Sequence, residues 1–472
     1  MEIIAFILYL ILVLVIGLVA YTRTKFLKDY ILGGRKIGSV VAALSANASD
    51  MSGWLLLGLP GLAYLEGTQA FWIAIGIFLG TYLNWQFIAT PLRIHSEQMG
   101  DALTIPEYLA NIVDDKQHVI RMTSAIFIII FFTIYTSAGL VAAGKLFSTV
   151  FHISYHTALF FGILSILIYT ALGGFLAVTW TDAVQATLML FALATVPIFV
   201  LGDYHFNWSS LSAIVHSKNA AAFNMFNNAD GTSISVLQIV SLIAWGLGYF
   251  GQPHILSRFM AIQSHKKIGR AKLVSLSWLV VTLVAAVMIG ILGIAALEQP
   301  LTGNDSELVF LKLIRQRFHP VLAGFFLSAV LSAIMSTADS QILIVSSSLV
   351  EDLYKVLKKR ASQVELLLVG RIGVVVVALI ALLLSFHSNS KIIDLVAYAW
   401  AGFGAAFGPL IIVSLYQSKR LTRWGALAGI VVGGVTVIVW KQLSGGLFDL
   451  YEIVPGFIFS YVAIVLLGRI AK

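Results

Sequence analysis

Thirteen long apolar stretches divide this chain, and they constrain the fold more than any other feature. They lie at about 3–22, 39–64, 69–91, 122–150, 156–179, 184–202, 234–252, 272–297, 320–350, 366–386, 392–415, 422–440 and 452–470. At 1.5 Å per residue, most are long enough to cross a hydrocarbon core of roughly 30 Å. Apolar residues make up 59% of the chain and charged ones 11%, against about 45–50% and about 25% in soluble proteins. So few charges cannot cover a water-facing surface, so an all-α membrane protein of one polytopic domain (1–472) is expected. Soluble enzymes and nucleic-acid binders are excluded. Cysteine is absent, which removes disulfides and thiolate sites.

The first stretch is not expected to be a cleavable leader. Glu2 stands where a basic leader would be, and the run ends in Tyr21-Thr22-Arg23 without a small-residue cleavage site. Loops after odd-numbered spans, with the C-terminal tail, hold 23 Lys and Arg, those after even-numbered spans hold 6, and Lys145 falls within a span. Positive charge stays inside, so the N-terminus is expected outside and the C-terminus in the cytoplasm. The net charge of +8 is therefore topological and marks no nucleic-acid partner. The segment at 203–233 reads as an external loop with a short surface helix, and 351–363 as an amphipathic cytoplasmic connector. Lys145 is expected to snorkel toward an interface.

Two spans mix polar and helix-weakening residues into an apolar run. Span 2 carries Ser45-Ala46-Asn47-Ala48-Ser49-Asp50-Met51-Ser52-Gly53-Trp54, with Gly58, Pro60 and Gly61 beyond. Span 7 carries Trp245-Gly246-Leu247-Gly248-Tyr249-Phe250-Gly251-Gln252-Pro253. Freed backbone groups inside a bilayer must be satisfied by protein or by a water-lined cavity. The two spans lie five apart, which suggests two five-helix halves (39–202 and 234–415) of opposite orientation, each opening with a broken helix. Gly425, Gly429 and Gly433 in span 12 lack polar company and read as a packing stripe.

Asp50 is the most informative position, because a carboxylate near mid-membrane costs roughly 2.5–3.5 kcal/mol and needs a cavity or a cation. In span 9, Ala333, Ser336 and Thr337 share one helix face at i, i+3 and i+4. Hydroxyls from that face and carbonyls released by span 2 form a plausible cage for a hard alkali cation. Asp182, placed between spans 5 and 6, reads equally as a cation exit or a helix cap, and Asp339 shares that ambiguity. Trp245 and Tyr249, at i and i+4, would give one aromatic face for a substrate. There is no His-Glu-x-x-His motif, and Gly33-Gly34-Arg35-Lys36 lacks phosphate-loop spacing. No nucleotide, cofactor, enzymatic activity or obligate protein partner is expected.

The segments Gly33-Gly34-Arg35, Ala48-Ser49-Asp50-Met51-Ser52-Gly53-Trp54 and Gly58-Leu59-Pro60-Gly61 closely resemble the solute:sodium symporter family, nearest its bacterial sodium/proline branch. Phe131-Phe132-Thr133-Ile134-Tyr135, Trp180-Thr181-Asp182, Trp245 through His254 and Glu351-Asp352-Leu353-Tyr354 resemble it too, so the likeness runs along nearly the whole chain. The resemblance implies about thirteen transmembrane helices in the cell membrane. These would be a LeuT-type inverted five-helix repeat core, one extra N-terminal helix and two C-terminal ones. It implies sodium-coupled uptake of L-proline. It also implies backbone sodium contacts at Ala48, Met51 and Ala333, hydroxyl contacts at Ser336 and Thr337, and a shaping role for Asp50. Ser52 and Gly53 match positions that influence ion and proline, and Tyr135, Trp245, Tyr249 and Pro253 match the proline pocket. Asp339 departs from the proline branch, which carries uncharged residues there, and leaves a second cation or another solute open. A passive channel is the reading from a different class, and no filter or charged ring supports it.

Overall fold

The computed structural model describes residues 2–23, 27–386 and 391–470, and these are helical apart from loops and two isolated bridges. Lys25 and Lys472, counted among the loop charges, lie outside the described residues. Eight helical stretches among the described residues are long and apolar enough to cross a membrane, and four shorter apolar helices accompany them. The first helix, Glu2–Arg23, shows why the exterior is suited to lipid. Phe6, Tyr9, Val13 and Ala20 are buried against neighbouring spans, while Ile4, Leu8, Ile11 and Val15 on the other side are about half exposed. Both faces are apolar, so the outer one avoids water only in hydrocarbon.

Span 2 is broken. Ser39–Asp50 is α-helical, Met51 leaves the helix (φ −80°, ψ 76°), and the chain resumes through Trp54–Gly58 into Leu59–Glu66. Span 7 runs as an α-helix over Val236–Ile243, tightens to a 3-10 helix over Ala244–Gly251, and restarts at Pro253–Ala261. The local cause is Pro253, which clashes with an α conformation at the residue before it. Gln252 is accordingly extended, with ψ 108°. Span 9, Pro320–Ser347, continues through Ser348–Tyr354 and is buried along nearly its whole length at the centre of the bundle. In span 12, Arg423–Trp440, the glycine stripe packs closely: a Cβ on Gly429 would meet Ile464 of Ile453–Ile470, and one on Gly433 would meet the carbonyl of Ala405.

Several expectations need correction. One helical run extends over Tyr155–Asp203, 49 residues, and an unbroken rod of that length would measure ~73 Å, more than twice the hydrocarbon core. The division falls at Gly174 (φ 59°, ψ −169°), not at 180–183. Asp182 therefore lies inside span 6, and not between spans 5 and 6. Span 3 continues to Gln98, and a short helix follows it at Ile105–Ile112, outside the expected spans, with Ile105, Tyr108, Leu109 and Ile112 recurring at i, i+3, i+4 and i+7 behind the Thr104 cap.

The expected connector at 351–363 begins as a continuation of span 9. Glu351 and Asp352 are buried there, and Asp352 takes Arg121 Nε at 2.7 Å and the Thr104 hydroxyl at 2.9 Å. Lys145 does not snorkel: its Nζ lies 2.6 Å from Glu307 Oε2, and both side chains are largely buried. The loop after span 6 does carry a surface helix, Trp208–Lys218, and then bonds to the turn between spans 2 and 3 through Thr68 N to Ala222 O at 2.7 Å.

Candidate functional site

Where spans 2 and 9 meet, four oxygens converge. Ser336 Oγ donates to the carbonyl of Ala48 at 2.7 Å and lies 3.1 Å from that of Ala333, and Thr337 Oγ1 reaches the same Ala48 oxygen at 3.3 Å. All four residues are buried. The spacing read from span 9 is thus brought onto the carbonyl expected from span 2. Two carbonyls and two hydroxyls, all neutral oxygen donors, suit a hard monovalent cation better than a transition metal. Among the described residues, no group of three His, Asp or Glu could hold a metal ion. Met51 is buried at the first non-helical position, three residues beyond Ala48.

Asp50 belongs to the same break but faces elsewhere. Its Oδ2 accepts from the Tyr249 hydroxyl at 2.5 Å, which ties span 2 to span 7, and its Oδ1 has no hydrogen-bond partner. Its main-chain carbonyl, released by the break, accepts from Ser52 N (2.9 Å), Trp54 Nε1 (3.2 Å) and the Tyr135 hydroxyl (3.2 Å). Ser52 Oγ accepts from Trp54 N at 3.4 Å. Gly53 lets span 4 approach, since a Cβ there would stand 2.7 Å from that of Ala142.

The aromatic residues are buried, not arrayed in an interfacial belt, but they do not form one face. In a 3-10 helix of three residues per turn, i and i+4 point about 120° apart. Trp245 packs between Trp54 (5.8 Å between centroids) and Tyr451 (6.0 Å). Tyr249 stands edge-on to Trp400 at 5.0 Å. Trp400 was not foreseen, and its Nε1 donates to the carbonyl of Trp245 at 2.7 Å. Gly248 makes this possible, because a Cβ there would fall 1.8 Å from that nitrogen. Pro253 lines a narrow void of about 10 Å³ with Ile128, Ser257 and Ile344.

On the far side of the four oxygens lies a buried charge pair. Arg258, counted as a loop residue from sequence, is wholly buried in the second half of span 7, where its NH2 lies 3.3 Å from Asp182 Oδ2. It also donates to Ser45 Oγ (3.1 Å) and Ser340 Oγ (2.5 Å), and Ser45 donates to Asp182 at 2.6 Å. Asp339, buried next to Ser340, adjoins this group along span 9. Ser45 and Arg258 carried a signal in the sequence only as polar residues at the margins of the two broken spans.

Residues 30–433 match the sodium:solute symporter family model. A sodium/proline symporter of Salmonella typhimurium is 48% identical over 99% of this chain and 93% of its own length. The chain belongs to the sodium:solute symporter family. It is thus a multi-pass membrane transporter and not an enzyme. A high-affinity proline transporter of Bacillus subtilis is 48% identical, covering 96% of this chain and 94% of that one. Among solved structures, a sodium-coupled sialic acid symporter superposes with a TM-score of 0.81 at 17% identity, over 99% of this chain and 98% of that one, and so shares the fold. The structural matches are LeuT-fold transporters.

Proposed function

We propose that this protein carries L-proline into the cell together with sodium, by alternating access. The observation that carries this reading is the Ala48 carbonyl at the break of span 2, gripped by both hydroxyls of span 9. Sodium entering among Ala48, Met51, Ala333, Ser336 and Thr337 would replace hydroxyl–carbonyl bonds with ion–oxygen contacts and fasten span 2 to span 9. Asp50 would act by shaping the break, since its carboxylate is engaged with Tyr249 of span 7. Ser52, Gly53, Tyr135, Trp245, Tyr249 and Pro253 would frame the proline. Asp182 and Asp339, on the inner side with Arg258, would lie on an ion pathway. Full-length relatives bearing proline-transport names support the choice of solute.

We infer thirteen crossings. The repeats 39–202 and 234–415 would be inverted copies opening with the two broken spans, span 1 and spans 12–13 would be peripheral, the N-terminus external and the C-terminus cytoplasmic. One charge moving down ~100 mV supplies about 2.3 kcal/mol, and a tenfold sodium gradient adds about 1.4. The total of ~3.7 kcal/mol sustains a solute ratio of several hundred at one-to-one stoichiometry, without a nucleotide. The test is radiolabelled proline uptake in proteoliposomes. Accumulation is expected with an inward sodium gradient, equal uptake in choline medium would sink the coupling, and failure of excess unlabelled proline to compete would point to another small solute.

A further inference from the structure

The second half of span 7 opens with Pro253-His254, and His254 is assigned no part in the mechanism above. We propose that His254 is a substrate contact whose imidazole donates a hydrogen bond to the carboxylate of the transported amino acid. This rests on the proline-transport reading and adds a residue to it. The side chain is wholly buried, yet neither Nδ1 nor Nε2 has a hydrogen-bond partner. Each such atom costs roughly 1–3 kcal/mol, and an apolar ring of the same shape would avoid that cost. The ring's apolar fit is already complete, edge-on to Phe132 at 5.5 Å and to Tyr135 at 6.5 Å between centroids. Its polarity therefore serves something other than packing.

The location names the ligand's chemistry. Tyr135, against which the ring rests, holds the Asp50 carbonyl at the break of span 2. Gln252, two residues before, donates to Trp400 O at 3.2 Å while its Oε1 also lacks a partner. Three partnerless polar atoms thus stand within three residues of the span 7 break. The Arg258 guanidinium, one turn on, donates to the His254 carbonyl at 2.8 Å. That guanidinium is paired with Asp182, so the donor left free to meet an anionic group at this point of span 7 is the imidazole N–H. A neutral imidazole offers one donor and one acceptor, its N–H fits the carboxylate of a small zwitterion, and the aromatic walls keep water from competing.

The test uses the full chain in proteoliposomes and compares wild type with His254→Phe and His254→Gln. The phenylalanine variant is expected to raise the KM for proline ~ten-fold or more, consistent with losing a hydrogen bond to a charged group. Sodium binding measured without proline should stay within about two-fold, and glutamine, which keeps a donor and an acceptor, should recover most of the affinity. Proline methyl ester, which lacks the carboxylate, should compete poorly with wild type but nearly as well as proline with the variant. His254→Leu serves if the phenylalanine variant does not fold. A wild type that accumulates proline while its His254→Phe form matches it in KM and in ester discrimination overturns this assignment alone. A wild type that accumulates no proline overturns the solute reading and this contact with it.

Discussion

The breaks in spans 2 and 7 look alike in sequence but are built differently. In span 2 the released carbonyls of Ala48 and Asp50 are engaged, with two hydroxyl partners and three donors respectively, and one side-chain atom, Asp50 Oδ1, is orphaned. In span 7 three side-chain atoms are orphaned, on Gln252 and His254, and the backbone is kept close-packed by glycine against Trp400. The first arrangement presents fixed carbonyls to an ion that needs several oxygens at once. The second leaves donors and acceptors free for a solute that brings its own polar groups. On the proposed reading, one break is preorganised by its neighbours and the other would be completed by its cargo.

Arg258 lies where the two breaks are joined, so the largest effect is expected there. Replacing it by Met leaves Asp182 buried without its partner, a loss of about 3–5 kcal/mol visible in thermal unfolding. Adding Asp182→Leu should restore much of that stability, and a double variant no better than the single would show that the pair does not couple the spans. Next, Ser336→Ala with Thr337→Ala should raise the sodium half-saturation of uptake ~ten-fold or more. An unchanged sodium requirement would break the distinction between an ion-binding and a solute-binding break. Gly248→Ala, which drives a methyl into the Trp400 indole, should cost about 1–3 kcal/mol and raise proline KM more than sodium half-saturation; equal shifts in both would blur the comparison.

The smallest effect is expected away from both breaks, at Asp101. Burial alone would lift its carboxyl, but hydrogen bonds and charge from Lys28 and Arg35 outweigh that and hold it below its ordinary value. A depressed carboxylate adds stability above its unfolded pKa and loses it as pH falls through the folded one. Asp101→Asn should therefore cost under ~1 kcal/mol near neutrality, since the site is partly exposed. The gap to wild type should close as pH drops below about 4 in a thermal-shift series. A gap that widened in acid would reverse the sign assigned to this pair.

Both breaks were legible along the chain, because Pro253 acts on its immediate neighbour and serines and glycines weaken helices locally. The oxygen face of span 9 was legible for the same reason, as a helix places i, i+3 and i+4 together. The shared aromatic face at Trp245 and Tyr249 was not there to be read. It presumed α spacing, and span 7 tightens into a 3-10 turn where the two rings diverge.

By itself, then, the amino-acid order determined that the chain crosses membranes, where its helices weaken and which face of span 9 carries hydroxyls. These follow from hydrophobicity and from conformational preferences acting over a few residues. Only the tertiary structure decided that Asp50 turns its carboxylate to Tyr249, that Lys145 meets Glu307 and that Arg258 leaves the loop to neutralise Asp182. The partners in these pairs lie between 76 and 199 residues apart. A buried polar group must find its complement wherever packing brings one within reach, and no local rule encodes that distance.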